Sequence, residues 1–419
     1  MTDHEGVFVS MWRIFGLAAY RRYWFGDLGA GILGEILQVA ATWYLAGWSP
    51  RAVGWYQFFA AAPVLIGGAL LAQLFRRASV QTVMVLDLVA RAFAYALLGA
   101  ALLLAARSAI PLWAFDLAAA WTALFLMASS AGGPSLWPRL LAGQDVGRAM
   151  QAEQLGWNLS AIAGPLMAGL VVTATGLPAI SLAGAMVFLG LALNLLTLPL
   201  RPPDGLAQPA TLGAPQAGMR DVWRIVVGQR ALLLPTLLFW VLNLVGGLQG
   251  VFLPLIVHTF WRGPAWLYGA LLGVGAFGGV LGSVTLAGAQ RGDLLRKVTA
   301  WEMVASLASL LLLPGLHRPL FAFVALGISG AIGASTATWV LRLRFDATGE
   351  QERPVVLAYI RTFLYAASPL GALVAGSVWR PASAATWLAA GSGLMFAAAA
   401  LSLAVSACGR STAAVEASP

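Results

Sequence analysis

The sequence predicts an all-α integral membrane protein: twelve transmembrane helices in two pseudo-symmetric six-helix bundles. Three observations lead there: a composition too apolar for a soluble domain, apolar runs of bilayer-spanning length, and a repeat between the two halves. The chain has 419 residues, 60% hydrophobic and 10% charged, with a mean hydropathy of +0.82. A soluble domain carries about 45–50% apolar and about 25% charged residues, so charge is too scarce here to cover a globule in water. Disorder, collagen and a disulfide scaffold are excluded as well. The chain is apolar, its 47 glycines have no period of three, and Cys408 is its only cysteine.

About 20 apolar residues cross a bilayer core as a helix. Runs of that kind lie at 24–46, 54–75, 80–105, 111–131, 155–174, 178–199, 231–257, 265–289, 298–314, 319–341, 355–378 and 384–406. No cleaved signal peptide is expected, because the first twenty residues hold acids and Arg13 without an apolar core. Placing the N-terminus inside puts 18 of the 25 basic residues in inner segments and 5 in outer loops, with Arg91 and Arg361 within spans. This bias sets both termini in the cytoplasm of a multi-pass cell (inner) membrane protein. The net charge of +9 is thus a topology signal, helped by anionic lipid, and needs no nucleic acid. Trp24, Trp43, Trp113, Trp266 and Trp379 fall near span ends, where an indole can be half wet. Trp121 and Trp240 fall near span centres instead.

The repeat has an offset of 211: Trp12-Arg13-Ile14 returns as Trp223-Arg224-Ile225, and Gly67-Gly68-Ala69-Leu70 as Gly278-Gly279-Val280-Leu281. Pro165 is echoed by Pro369 after loop shortening. The expected organisation is a half at 1–200, a Pro/Gly/Gln-rich cytoplasmic linker at 201–218, a second half at 219–406 and a disordered polar tail at 407–419. Each half opens on an amphipathic segment. Met219, Val222, Trp223, Val226 and Val227 form one stripe at helical spacing, and Phe8, Met11, Trp12 and Phe15 the other. Both are expected to lie in the membrane interface.

This layout resembles the major facilitator superfamily, and local motifs are similar to its enterobactin-exporter-like and macrolide-efflux-like branch. They are Ser49-Pro50-Arg51-Ala52-Val53-Gly54, Trp137-Pro138 with Arg148-Ala149, Gly164-Pro165-x-x-x-Gly169, Val251-Phe252-Leu253-Pro254, and Pro369-Leu370-Gly371-Ala372-Leu373. The resemblance implies the major facilitator fold and a secondary transporter, with a substrate cavity that opens alternately to each side. One motif departs. The superfamily's Gly-x-Leu-Ala-Asp-Arg-x-x-Arg-Arg loop becomes Gly68-Ala69-Leu70-Leu71-Ala72-Gln73-Leu74-Phe75-Arg76-Arg77. Gly68, Arg76 and Arg77 remain as gating residues, but the acid of the family's latch is replaced by Ala72.

Soluble-enzyme chemistry finds no support. His4, His258 and His317 are scattered, no phosphate-binding loop exists, and Lys297 is the only lysine, so neither metal nor cofactor is expected. Ionisable groups within the spans are costly, about 2.5–3.5 kcal/mol at a helix centre, and so each needs a reason. Asp27, Glu302 and Arg361 lie within about two turns of the inner ends and Asp116 near the outer face, where snorkelling or wetting suffices. Asp87 and Arg91 are i, i+4 and neutralise one another.

Glu35 is eleven residues past Trp24, about 16 Å deep, with no base near it in sequence. Gln38 and Thr42 continue a polar stripe expected to face a cavity. Desolvation favours the neutral acid, so Glu35 is the candidate proton-coupling residue; the alternative is a neutral, hydrogen-bonded structural acid. The offset of 211 carries Glu35 to Gly246, with Asn243 and Trp240 as candidates for the other wall. Trp121 joins the cavity set, while Trp240 suits packing equally. In Gly164-Pro165-x-x-x-Gly169, proline removes an intrahelical bond and the glycines allow close helix approach. The resemblance makes it an antiporter-type motif. The expected function is therefore proton-coupled efflux of a drug-like or siderophore-like amphipathic molecule by a monomer. A non-pumping receptor relative, or an importer or facilitator, is the alternative.

Overall fold

In the computed structural model, residues 12–105, 111–141, 146–200, 219–285, 293–349 and 352–416 are described, and nearly all are helical. They divide into two compact units. Unit 1 takes in Met1–Trp48, Trp55–Gln208 and Pro264–Ala270; unit 2 takes in Ser49–Gly54, Pro209–Gly263 and Leu271–Pro419. The expected linker at 201–218 lies outside the described residues.

The first half contributes α1 (Ala18–Ala46), α2 (Pro50–Ala61), α3 (Val64–Arg77), α4 (Val80–Leu104), α5 (Leu112–Leu141), α6 (Val146–Thr175) and α7 (Leu177–Leu196). The second contributes α8 (Met219–Gly228), α9 (Arg230–Thr259), α10 (Ala265–Thr285), α11 (Leu294–Ser309), α12 (Leu312–Gly315), α13 (Pro319–Ala347), α14 (Arg353–Tyr365), α15 (Ala367–Val378) and α16 (Ala384–Glu416). Ten described segments are long and apolar enough to cross a membrane. Three of the twelve expected spans are each delivered as two helices, α2–α3, α11–α12 and α14–α15. Each interruption lies at a proline or within the turn before one (Pro63, Pro314, Pro369), where the ring clashes with the preceding turn's carbonyl.

In unit 1, α1 packs along α6 and α7, while α4 packs along α5 and α7. In unit 2, α9 packs on α15 and α16, and α11 lies against α13 and α16. The N-termini of α4 and α11 are fixed the same way. Ser79 Oγ accepts from Thr82 N at 3.1 Å, and Asp293 Oδ1 accepts from Arg296 N at 3.3 Å. These caps satisfy otherwise orphaned backbone donors.

Close approach in unit 2 is built on glycine. A Cβ at Gly278 would strike the carbonyl of Gly327, one at Gly282 that of Ala331, and one at Gly330 that of Gly275. The backbones of α10 and α13 therefore meet with no side chain between them.

The amphipathic helix α8 packs part of its apolar stripe on protein. Val222 and Val226 are 2% and 1% exposed, clustered with Leu232, Val356 and Ile360 of α9 and α14. Protein covers that part of the stripe, while Val227 is 60% exposed. Of the first half's stripe, Phe8 and Met11 lie outside the described residues; Phe15 packs edge-on to Trp24 at 5.0 Å. The backbone of α16 runs on to Glu416, through a segment with no proline.

Candidate functional site

In unit 1, α1 carries Glu35 past its middle and half-buried. Gly164 of α6 lies directly against it. A Cβ there would overlap Glu35 Cβ and approach the Ile32 carbonyl to 3.2 Å, so only glycine fits. One turn toward the N-terminus of α1, Gly31 faces Ser160, whose hydroxyl would be 2.6 Å from an added Cβ. Further down, Trp24 Nε1 donates to the Ala152 carbonyl at 2.8 Å. The α1–α6 seam is thus made of small residues with a carboxyl set into it.

Three further tyrosines of unit 1 are buried within their helices: Tyr56, Tyr95 and Tyr268. They are 3%, 4% and 3% exposed. Tyr95 stacks on Phe188 at 5.9 Å and Tyr268 on Trp43 at 6.2 Å, which fixes two of the rings. Sequence reasoning missed all three, because they come from α2, α4 and α10 and share no local pattern. Depth counting along α4 was the one available signal, since it puts Tyr95 well inside its span.

The polar stripe expected beyond Glu35 is not one open face. Gln38 is exposed, whereas Thr42 is buried, donating to the Gln38 carbonyl at 2.8 Å and accepting from Gln57 Nε2 at 3.0 Å. Gln57 of α2 turns Thr42 into a packing residue. Trp121 on α5 is 39% exposed and lies tilted against Phe125 at 5.7 Å.

Asp87 and Arg91 form the expected pair, with both carboxylate oxygens engaged at 2.7 and 2.8 Å in a nearly dry setting. The guanidinium also sits 5.9 Å from the Phe188 ring. Between α1, α4 and α7, Tyr23, Asp27, Met84, Leu88 and Asn194 line a small cleft. The Gly-Pro segment makes a second close crossing within unit 1. A Cβ at Gly169 would strike the Trp266 backbone, and one at Gly269 the Pro165 carbonyl. α6 continues through Pro165 unbroken. Of the altered loop, Arg77 is exposed, while the side chains of Gly68, Ala72, Gln73 and Arg76 lie outside the described residues.

In unit 2, Trp240 stacks on Phe363 at 6.0 Å, and Phe363 meets Trp223 edge-on at 4.9 Å. Trp240 is thereby part of an aromatic column joining α8, α14 and α9. Asn243 folds back on its own helix, donating to the Phe239 carbonyl at 2.7 Å. Gly246, the position matched to Glu35, has nothing within 4 Å of an added Cβ. Pro369 is buried where α15 meets α9: a Cβ at Gly371 would strike the Leu244 carbonyl, and one at Gly247 the Ser368 carbonyl.

Glu302 departs from its expected wet position: it is 3% exposed. The Asp293 cap starts α11 four residues before the expected 298, which carries Glu302 a further turn inward. Among the described residues no three His, Cys, Asp or Glu side chains gather as a metal site.

No protein-family model matches the chain, and no curated protein matches it in sequence. Solved structures do. A crystal structure of a mutant of the nucleoside transporter NupG superposes with a TM-score of 0.73 at 14% identity, covering 92% of this chain and 99% of that one. A bacterial homologue of the iron transporter ferroportin gives 0.66 at 16% identity over 92% and 97% of the two chains. A bacterial homologue of the human lysosomal transporter Spinster gives 0.65 at 13% over 93% and 96%. The chain therefore has the fold of the major facilitator transporters, a multi-pass membrane fold.

Proposed function

We propose that the protein is a secondary active transporter, a proton-coupled exporter of a drug-like or siderophore-like amphipathic small molecule that works by alternating access. The observation that carries this reading is Glu35: a half-buried carboxyl well inside its helix, with no ion-pair partner among the described residues, seated on Gly164 of the Gly-Pro segment. An acid at that depth without a base has to earn its place by function. Its contact with Gly164 is backbone-tight, so a displacement of α6 along α1 changes the surroundings of the carboxyl directly.

The fold neighbours support transport as the class, each being a transporter or transporter homologue by name. The bias of basic residues supports both termini in the cytoplasm. In the cycle, Glu35 takes a proton from outside and releases it inside in exchange for cargo, and Gln38 and Trp121 are the exposed candidates for cargo contact in unit 1.

The test uses the full chain in proteoliposomes. Wild type is expected to release protons when driven by substrate, and Glu35→Gln to bind substrate while losing that release. Unchanged coupling in the variant overturns the role of Glu35. Absence of counterflow for every ligand that binds would instead favour the non-pumping receptor reading, whose motive is the Ala72-Gln73 replacement.

A further inference from the structure

Unit 2 contains a buried acid that the proposed cycle does not use. Glu302 on α11 is 3% exposed, and among the described residues the side chain hydrogen-bonded to its carboxyl is Thr336 of α13, at 2.5 Å from Oγ1 to Oε1. On the same two helices, Leu294 and Val298 of α11 share an apolar cluster with Trp339 and Val340 of α13, all at least nine-tenths buried. The nearby hydroxyls are committed elsewhere. Ser306 Oγ donates to the Glu302 main-chain carbonyl at 2.6 Å, Ser309 Oγ donates to the Ser306 carbonyl at 2.7 Å, and Ser309 meets Ser392 of α16 at 2.6 Å.

No cation faces the carboxyl from the packed helices. On α11 the nearest bases, Arg296 and Lys297, are six and five residues toward the N-terminus. On α13 the ionisable residues are Arg342, Arg344 and Asp346, six to ten residues beyond Thr336. α16 has none between Ala384 and Ser406, and α9 has Arg230 and His258 near its two ends. Among the described residues Glu302 forms no ion pair.

Counting protons decides between its two forms. Thr336 has one hydroxyl hydrogen and three acceptors in reach: Glu302 Oε1, the Ile332 carbonyl at 3.0 Å and the Gly333 carbonyl at 3.2 Å. With the acid neutral, Glu302 O–H donates to Thr336 Oγ1, and Thr336 donates onward to Ile332 in the usual threonine back-bond. Every polar hydrogen of the pair then has an acceptor. With the acid ionised, Thr336 has to turn its hydrogen to the carboxylate, and the remaining lone pairs face an apolar layer at high cost. Trp339, one turn from Thr336 on the same face, keeps a buried indole N–H without an acceptor, ready for a carboxylate or the water that follows one.

We infer that Glu302 and Thr336 form a proton-binding site in unit 2, distinct from Glu35, whose neutral acid joins α11 to α13 through a chain of hydrogen bonds. The ligand is the proton itself. On release the O–H bond of Glu302 breaks, the proton passes to water admitted between the helices, and the link to Thr336 reverses its donor.

Infrared difference spectroscopy on the purified full-length protein tests this, through the C=O stretch of protonated carboxylic acids and its shift in heavy water. Alkaline buffer is expected to remove one such band reversibly. Glu302→Gln is expected to abolish the band, Thr336→Val to move it to higher wavenumber, and Thr336→Ser to restore its position. Glu35→Gln is expected to leave it in place, which keeps this site separable from the transport reading. A band that survives in Glu302→Gln, that ignores Thr336→Val, or that persists unchanged in alkali overturns the site. The two Thr336 variants retain the acid, so the inference stays open to refutation even where Glu302→Gln does not fold.

Discussion

In α4, Asp87 lies eight residues past the Ser79 cap and is clasped by Arg91 one turn on; in α11, Glu302 lies nine residues past the Asp293 cap and is met by a threonine. At 1.5 Å per residue the two acids sit about 12 and 13.5 Å along their helices. Each half of the molecule therefore buries an acid at nearly the same depth, and each neutralises it differently. Unit 1 uses a counter-ion carried on the same helix, so the carboxylate is met by a fixed positive charge. Unit 2 lacks the base, and a bound proton does the balancing. The first arrangement is a fixed structural clasp, whereas the second responds to its surroundings.

Arg91 offers the most severe test of this contrast. Replacing it with Leu strands a buried carboxylate and is expected to cost about 3–5 kcal/mol, seen as a fall in thermal unfolding temperature in detergent. The double change Asp87→Leu with Arg91→Met is expected to recover most of that loss. If the single and double variants are equally unstable, the clasp is not what holds α4.

Gly164→Ala comes next. Overpacking against Glu35 is expected to cost about 1–3 kcal/mol. Because the clash is with Glu35 Cβ, Glu35→Gly should relieve it, and a double-mutant cycle that finds the two changes additive would remove the contact from the account.

Thr336→Val is expected to cost about 1 kcal/mol, the usual net worth of a hydrogen bond. Glu302→Gln should cost no more than that, since an amide can donate to Thr336 as the neutral acid does. A loss as large as that of Arg91→Leu would mean Glu302 is held as an anion after all. The smallest effects belong to the caps. Ser79→Ala and Asp293→Ala should each cost about 0.5 kcal/mol, the low end for a cap, and unequal losses would weaken the use of the caps as a common depth reference.

Much of the fold was legible because spans are set by bilayer thickness and by proline. Helix α11 shows where legibility ends. Asp293 caps the helix ahead of the expected start at 298, and Glu302 moved from a wet end to a dry layer as a result. The span at 298–314 follows apolar residues alone, and a capping aspartate five residues earlier is not an apolar signal. At the site, Glu35 stood out because an unpaired acid at mid-span is a local fact. Thr42 and Trp240 were harder, since whether a face is open depends on what a distant helix brings: Gln57 closes over the first and Phe363 stacks on the second. Tyr56, Tyr95 and Tyr268 are buried on three different helices, and no spacing along the chain groups them.

The glycine crossing of α10 and α13 has a consequence for how this protein can change over generations. Where two helices touch through main chain alone, no alternative residue offers a compromise; the smallest added carbon at Gly278, Gly282 or Gly330 meets a carbonyl. Such positions are closed to drift. Side-chain volume can change instead at positions such as Gly246, where an added Cβ meets nothing within 4 Å.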